Sequence, residues 1–123
     1  VVSTKVYALE RNASSYNVKN HPNFDDNDNK VYHVRFNKEK AEIMATYDND
    51  GKIVYAHETY EDLTLPPAVR NSVYKENPDW KVNGTAYTVF YNGVDASRTY
   101  RVQLKKEKMK KNLKFDAEGN SIK

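Results

Sequence analysis

One phrase occurs twice in this chain of 123 residues. The segment VYHVRFNKEK at Val31–Lys40 returns, with substitutions, as TYRVQLKKEK at Thr99–Lys108. The offset is 68 residues, and it also aligns the downstream segments YDNDG and FDAEG. Similarity at a fixed offset is typical of a duplicated supersecondary unit. The length suits one core, so we expect a single domain, residues 1–123, with pseudo-repeats at about 4–60 and 61–123.

Each copy of the phrase predicts a β-hairpin. Tyr32, Val34 and Phe36 alternate with His33 and Arg35, which is the period of a strand buried on one face. The polar residues NKEK then make a turn, and an apolar face continues on a returning strand. Asp, Asn and Gly in YDNDG and FDAEG suit a tight turn at its end. A third strand, KIVYAHETY, follows the first copy.

Between the copies, the segment LTLPPAVRNSVYKENPDW predicts the one helix of the chain. Thr64 is placed to cap it, and the two prolines suit a first turn that lacks amide partners. Asn77 and Pro78 are expected to end it. A helix this short must pack on the sheet to be stable. Its apolar stripe, at spacing i, i+4, i+8, consists of Leu65, Val69 and Val73.

A long strand is expected after the helix, starting at Trp80, with a bulge or kink at Asn83-Gly84 and a hairpin turn at Asn92-Gly93. The first thirty residues are interpreted as strands at Thr4–Arg11 and 14–19, followed by a polar loop. A helix equivalent to the later one would fall at or before residue 1 at this offset, so a first helix is either missing or lies partly in the leading residues. The predicted fold class is α+β, a twisted antiparallel sheet built from a duplicated β-unit, with one short helix packed on one face.

Composition and charge exclude several classes of protein. The chain has no cysteine, which removes disulfides, thiolate metal sites and a cysteine nucleophile. The net charge of +3 is too small to indicate nucleic-acid binding, and the basic run at Lys105–Lys111 alternates like the solvent face of a hairpin. The sequence contains no apolar run of the roughly 20 residues that span a bilayer. We therefore expect neither a nucleic-acid partner nor a membrane span.

Motifs for catalysis or cofactor binding are also missing from the sequence. His33 and His57 could meet on one sheet face, but a third metal ligand has no obvious position. The acidic segment DDNDN at Asp25–Asn29 has neither the glycine nor the glutamate of a calcium loop. The sequence has no glycine-rich phosphate loop and no serine in a nucleophile elbow. We expect a protein that is not an enzyme and has no cofactor.

The segments LPPAVRNSVYKENPDWKV, YRVQL and LKFDAEGN resemble the PepSY-like, β-lactamase-inhibitor-protein-like family of secreted bacterial proteins. The match is full at Leu65–Trp80 and at Phe115–Gly119 and weaker in the first copy. The resemblance implies a helix laid on an antiparallel sheet, a periplasmic or extracellular location after removal of a signal peptide, and a binding or inhibitory role. A likeness of fold does not by itself define a function.

Ten tyrosines make up most of the aromatic content, and Tyr, Trp and Arg are enriched at interface hot spots. Strand parity directs Tyr32, Tyr47 and Tyr100 inward. The opposite face is a candidate docking surface for a protein partner, such as a hydrolase or an envelope component, or a solvated face without a partner. The alternative function is a periplasmic small-ligand or metal-binding protein. The candidate partner-binding residues on the open face are His33, Arg35, Tyr55, His57, Phe90, Arg101 and Gln103.

Overall fold

The computed structural model of the protein describes residues 4–26 and 29–122. Its strands form one six-stranded antiparallel sheet in the order β1-β2-β3-β4-β5-β6, which confirms the predicted α+β class. The elements are α1 (Thr4–Ser14), a 3-10 turn (Val18–Asn20), β1 (Tyr32–Lys38), β2 (Ala41–Tyr47), β3 (Ile53–Glu61), α2 (Pro67–Glu76), β4 (Lys81–Tyr91), β5 (Ala96–Lys106) and β6 (Met109–Phe115).

The chain divides into two compact units. The first unit contains residues 4–59 together with 89–97, and the second unit contains residues 60–88 together with 98–122. Each unit therefore contains one helix and one hairpin of the repeated phrase.

The two repeated hairpins share one register. In the first unit β1 and β2 pair from Tyr32↔Tyr47 to Lys38↔Ala41. In the second unit β5 and β6 pair from Tyr100↔Phe115 to Lys106↔Met109, and every one of these positions is offset by the 68 residues found in the sequence. The duplicated β-unit is therefore repeated residue by residue.

The turn that follows each hairpin is repeated down to single hydrogen bonds. Asp48 Oδ1 accepts from the amides of Asp50 and Lys52, both at 2.9 Å. Asp116 Oδ1 accepts from the amides of Glu118 at 3.0 Å and Asn120 at 2.9 Å. The hydrogen bond from the Asn120 amide is the largest influence that lowers the pKa of Asp116. The glycine of each turn has positive φ, 83° at Gly51 and 88° at Gly119, as the sequence predicted.

In the first unit, α1 packs on the hairpin through Val6, Leu9 and Ala13, which are buried. Spacing of i, i+3 and i+7 places these three side chains on one side of a helix. A hydrogen bond fixes the contact, because the Tyr47 hydroxyl donates to the Ala13 carbonyl oxygen at 2.6 Å. Burial raises the pKa of Tyr47 to about 12. The side chains on the sheet side of this core are Tyr32, Ile43, Ala45 and Tyr47.

The prediction of strands in the first thirty residues is wrong. Thr4–Arg11 lies in α1, and residues 14–19 end that helix and enter the 3-10 turn. The β-branched and aromatic residues of TKVY favoured a strand locally, but burial of Val6, Leu9 and Ala13 against the hairpin outweighs that preference. The first copy therefore has its own helix, at a different offset from the second.

In the second unit, α2 packs on the sheet as predicted. Leu65, Val69 and Val73 form one buried cluster with the strand residues Val102, Leu104 and Phe115. The helix ends at Asn77, as expected, but the predicted Thr64 cap is wrong. Pro66 occupies the N-cap position, and no side chain caps the helix. A proline at the start lacks an amide hydrogen, so fewer donors need a cap.

The turn containing Gly119 lies directly against α2. The Ser72 hydroxyl donates to the Gly119 carbonyl oxygen at 2.7 Å. A Cβ atom built on Gly119 would lie 2.5 Å from the Ala68 carbonyl oxygen, closer than such contacts occur in proteins. The repeat-equivalent Gly51 is less restricted, because its nearest neighbour would be a Val18 methyl group at 3.7 Å. Glycine is thus required for packing only in the second copy.

The predicted irregularity at Asn83-Gly84 is supported by strand parity. Val82 packs on the core cluster, and further along β4 the buried residues are Tyr87 and Val89. An uninterrupted strand keeps residues of one parity on one face. The buried residues of β4 change from even-numbered to odd-numbered between Val82 and Tyr87. This stretch therefore contains one extra residue, as in a β-bulge.

Candidate functional site

Each unit leaves one sheet face without a helix, and the seven candidate docking residues lie on these faces. In the first unit, this face consists of the residues that alternate with the buried residues along β1 to β4. We call it the first-unit face. It includes His33, Arg35, Met44, Thr46, Tyr55, His57 and Phe90.

The centre of the first-unit face is an aromatic stack. The rings of His57 and Phe90 lie 4.3 Å apart between centroids and only 7° from parallel. In the second unit, the buried rings of Tyr60 on β3 and Tyr87 on β4 also stack. His57 thus lies beside Phe90 and Tyr60 beside Tyr87, which is the register of an antiparallel strand pair. Phe90 is 46% exposed and Tyr55 is 45% exposed, which leaves apolar aromatic surface in contact with solvent.

The β1–β2 part of the first-unit face is polar and internally paired. His33 Nδ1 lies 2.8 Å from the Thr46 hydroxyl oxygen. The Arg35 Nε–Glu42 Oε1 distance is 3.2 Å, and Arg35 Nη2 contacts the Met44 sulfur at 3.5 Å. The charge of Arg35 is thus balanced by its own hairpin, while its planar guanidinium remains accessible. Exposed ion pairs of this kind add little stability.

Arg101 and Gln103 lie on the corresponding face of the second unit, which we call the second-unit face. Asn83 Nδ2 donates to Gln103 Oε1 at 2.5 Å, and Gln103 Nε2 lies 3.5 Å from Asn112 Oδ1. These side chains form a row of amides across β4, β5 and β6. Arg101 is exposed and lies opposite Lys114 in the strand pairing.

A shallow depression of about 360 Å³ lies along the second-unit face. Arg101, Gln103, Asn112 and Lys114 line it, together with the acidic residues Glu61 and Asp62. Farther along the same hairpin, Lys105 pairs with Lys110, and both are exposed. The second-unit face therefore carries two cross-strand pairs of like charge.

The sequence prediction omitted several residues of these faces. Met44, Asn83 and Asn112 contact predicted residues directly, and alternation along β2 and β6 could have identified Met44 and Asn112. Asn83 could not be assigned to a face from alternation, because the buried parity of β4 changes between Val82 and Tyr87. The His57–Phe90 stack depends on a pairing between strands separated by α2, so sequence spacing does not specify it.

The described residues contain no group of three or more His, Asp or Glu side chains that could hold a metal ion. His33 and His57 instead contact Thr46 and Phe90, respectively. The acidic segment Asp25–Asn29 lies partly outside the described residues. Within residues 4–26 and 29–122, neither helix has the length and apolar character needed to cross a membrane.

Comparison with known proteins identifies the fold. No family model matches this chain, and no curated protein matches it either. Among solved structures, the chain is similar to a DUF2874 family protein from Bacteroides uniformis, with 17% sequence identity and a TM-score of 0.50. The alignment covers 100% of this chain and 88% of the other chain. At this identity the similarity concerns the fold alone.

Proposed function

We propose that this protein is an exported, non-enzymatic binding module that docks a protein partner through the open faces of its sheet or the adjacent hairpin loops. The exposed His57–Phe90 stack with Tyr55 is the observation that carries this proposal. These side chains lie on the face that α1 does not cover, where a solvated surface needs no aromatic residues.

The composition of the first-unit face supports a protein partner. Aromatic residues, Met and Arg are enriched at protein interfaces, whereas Lys and Glu are depleted. Tyr55, His57 and Phe90 lie on neighbouring strands, with Arg35 and Met44 on the β1–β2 hairpin. A stacked pair has fewer side-chain conformations to lose on binding than two separate rings, which favours its use as an anchor.

The β4–β5 turn extends this surface. Asn92 Oδ1 accepts from the amides of Val94 at 2.9 Å and Asp95 at 2.7 Å, so the turn is held by its own side chain. Val94 at its tip is 84% exposed. A rigid turn with an apolar tip near Phe90 gives a partner a second contact point.

Export and family membership are part of the same proposal. The motifs at Leu65–Trp80 and Phe115–Gly119 resemble those of PepSY-like, β-lactamase-inhibitor-protein-like secreted proteins. In this chain the first motif contains α2 and the second contains the Asp116 turn that lies against it. The resemblance supports a periplasmic or extracellular location and a hydrolase or an envelope component as the partner.

A capture experiment tests the proposal. Tagged protein is incubated with the envelope fraction of its source cell, and a recovered protein is then purified and its Kd measured by calorimetry. We expect Tyr55→Ala/Phe90→Ala to weaken binding by at least tenfold, since buried aromatic anchors contribute ~2 kcal/mol or more.

The matched control removes two exposed tyrosines from the helices. Tyr7 on α1 is 59% exposed and Tyr74 on α2 is 46% exposed, so Tyr7→Ala/Tyr74→Ala removes similar aromatic area from other surfaces. This variant should bind within twofold of the wild type. Equal affinity of all three proteins for every captured partner would exclude the first-unit face as the docking surface.

A further inference from the structure

The second-unit face has a charge pattern that its fold does not require. Between Arg98 and Lys114 the chain has eight basic residues and one acidic residue, Glu107. Four of the basic side chains share the open face of one hairpin, in the cross-strand pairs Arg101↔Lys114 and Lys105↔Lys110. Like charges placed directly opposite each other destabilise a sheet.

The first hairpin provides an internal comparison, because it has the same register. At the positions equivalent to these cations it has His33↔Thr46 and Asn37↔Glu42. Glu42 forms an ion pair with Arg35, so this hairpin balances its own charge. The same backbone therefore forms without like-charge pairs, and the four cations of the second copy need another explanation.

These cations are available to a ligand. Arg101, Lys105, Lys110 and Lys114 are all exposed, and within the described part of the chain none of them has an ion pair shorter than 4.0 Å. The acidic residues Glu61 and Asp62 line the depression beside Arg101, and Glu107 lies in the hairpin turn. Asp79 and Glu107 line a second depression together with Lys105 and Lys106, so among the described residues acidic side chains lie near both cation pairs without forming an ion pair with them.

We propose that the second-unit face binds an acidic, extended segment of a protein partner, an inference that rests on the proposed docking function and names its chemistry. The two cation pairs are four residues apart along β5, about 14 Å at ~3.4 Å per residue. An extended segment presents every second side chain to one side. Acidic residues at i and i+4 would meet the two cation pairs, and residue i+2 would face the Gln103–Asn112 amides.

Other polyanions fit this face less well. Single-stranded nucleic acid is bound by combining cations with aromatic rings on which bases stack, and the second-unit face has no aromatic residue among its described positions on β5 and β6. Membrane-surface binding combines cations with an inserted apolar side, whereas amides occupy the middle of this face. An acidic polypeptide can use both the cations and the amide donors.

The binding experiment uses decaglutamate as the probe. Its affinity for the full chain is measured by calorimetry at 50 mM and 300 mM salt, with decaglutamine, a dT10 oligonucleotide and phosphatidylglycerol vesicles as competing probes. We expect binding of decaglutamate that weakens at least fivefold at high salt, as for exposed charges, and no binding of decaglutamine. Equal or tighter binding of dT10 or the vesicles would overturn the assignment to an acidic protein segment.

A variant that copies the first hairpin's residues locates the site. Three substitutions introduce the first-copy residues, Arg101→His, Lys105→Asn and Lys114→Thr, and the fourth is Lys110→Gln. This variant should bind decaglutamate at least tenfold more weakly. The charge-matched control substitutes exposed cations outside the face by Gln and should bind within threefold of the wild type. The control positions are Lys19, Lys52, Arg70 and Lys75.

Folding and function are separated by two further readouts. The hairpin variant should have a Tm equal to or above that of the wild type, because like-charge pairs are removed. If both four-residue variants lose affinity equally, binding follows net charge and the site proposal is wrong. If decaglutamate does not bind but a captured partner depends on Tyr55 and Phe90, this inference fails while the proposed docking function stands.

Discussion

The packing of Gly119 against α2 leads to a quantitative prediction about three glycine-to-alanine substitutions. Gly51 and Gly119 occupy equivalent positions in the repeat, with φ of 83° and 88°. They differ in surroundings, since a Cβ on Gly119 would overlap the Ala68 carbonyl oxygen and a Cβ on Gly51 would make an ordinary contact. Gly84 has neither constraint, because a Cβ there meets nothing within 4 Å.

The expected magnitudes follow from these contacts. A positive φ destabilises the native state of an L-residue by about 1–2 kcal/mol. Alanine has less conformational freedom than glycine in the unfolded chain, and this offsets about 0.4–1 kcal/mol of the destabilisation. Gly51→Ala should therefore destabilise by about 1 kcal/mol. Gly119→Ala adds a steric overlap of about 1–3 kcal/mol and weakens the Ser72 hydrogen bond. Its total should be about 2–4 kcal/mol, whereas Gly84→Ala should change stability by less than about 0.5 kcal/mol.

Urea unfolding followed by the fluorescence of Trp80 measures these differences. Trp80 is the single tryptophan of the chain and packs on the core cluster of the second unit, so it reports on the region that contains Gly119. The m-value should stay constant across the variants. The reasoning is refuted if Gly119→Ala is no more destabilised than Gly51→Ala, because the overlap with α2 would then have no energetic consequence.

Three further predictions concern single side chains. Tyr47→Phe should destabilise the protein at pH 7 by about 1 kcal/mol, because the Ala13 carbonyl loses its 2.6 Å hydrogen bond and keeps only the 3.4 Å one from the Tyr16 amide; thermal unfolding of both proteins checks this. The raised pKa of Tyr47 means that the unfolded chain releases this proton at lower pH than the native state. Wild-type stability should therefore fall as pH rises from about 10 to about 12, more steeply than that of Tyr47→Phe, and parallel curves would contradict this. Glu107→Gly should stabilise by about 0.5 kcal/mol, because Glu107 has φ of 54° and glycine removes that strain; the neighbouring Lys108→Gly should destabilise in the same urea assay.

The hairpins and α2 could be predicted because their information is local. Alternation fixes the faces of β1 and β5, and the loops Glu39-Lys40 and Glu107-Lys108 fix the register of each hairpin. The i, i+4, i+8 stripe of Leu65, Val69 and Val73 identifies α2. The open-face positions follow from the same alternation, so Arg35 and Arg101 were assigned to the correct side of their strands.

The remaining features depend on long-range packing. The local sequence of helix α1 favours a strand. Burial of Val6, Leu9 and Ala13 against the hairpin stabilises the helix by more than that local preference. The stack of His57 on Phe90 depends on the register between β3 and β4. The chain connects these two strands through α2 and not through a tight turn, so no turn residues specify that register. Prediction of the amide row would need the parity change of β4, between Val82 and Tyr87, to be located to within one residue, because a one-residue shift exchanges the two faces.

The shared register of the two hairpins has a consequence for folding kinetics. Strand 32–38 could pair with strand 109–115 without a register shift, so the chain contains a competing pairing of similar geometry. The two-residue loops Glu39-Lys40 and Glu107-Lys108 oppose that exchange, since short loops close within microseconds and closure entropy grows with separation. We therefore expect early, local formation of both hairpins, and lengthening either loop should increase the yield of misfolded or strand-exchanged species on refolding.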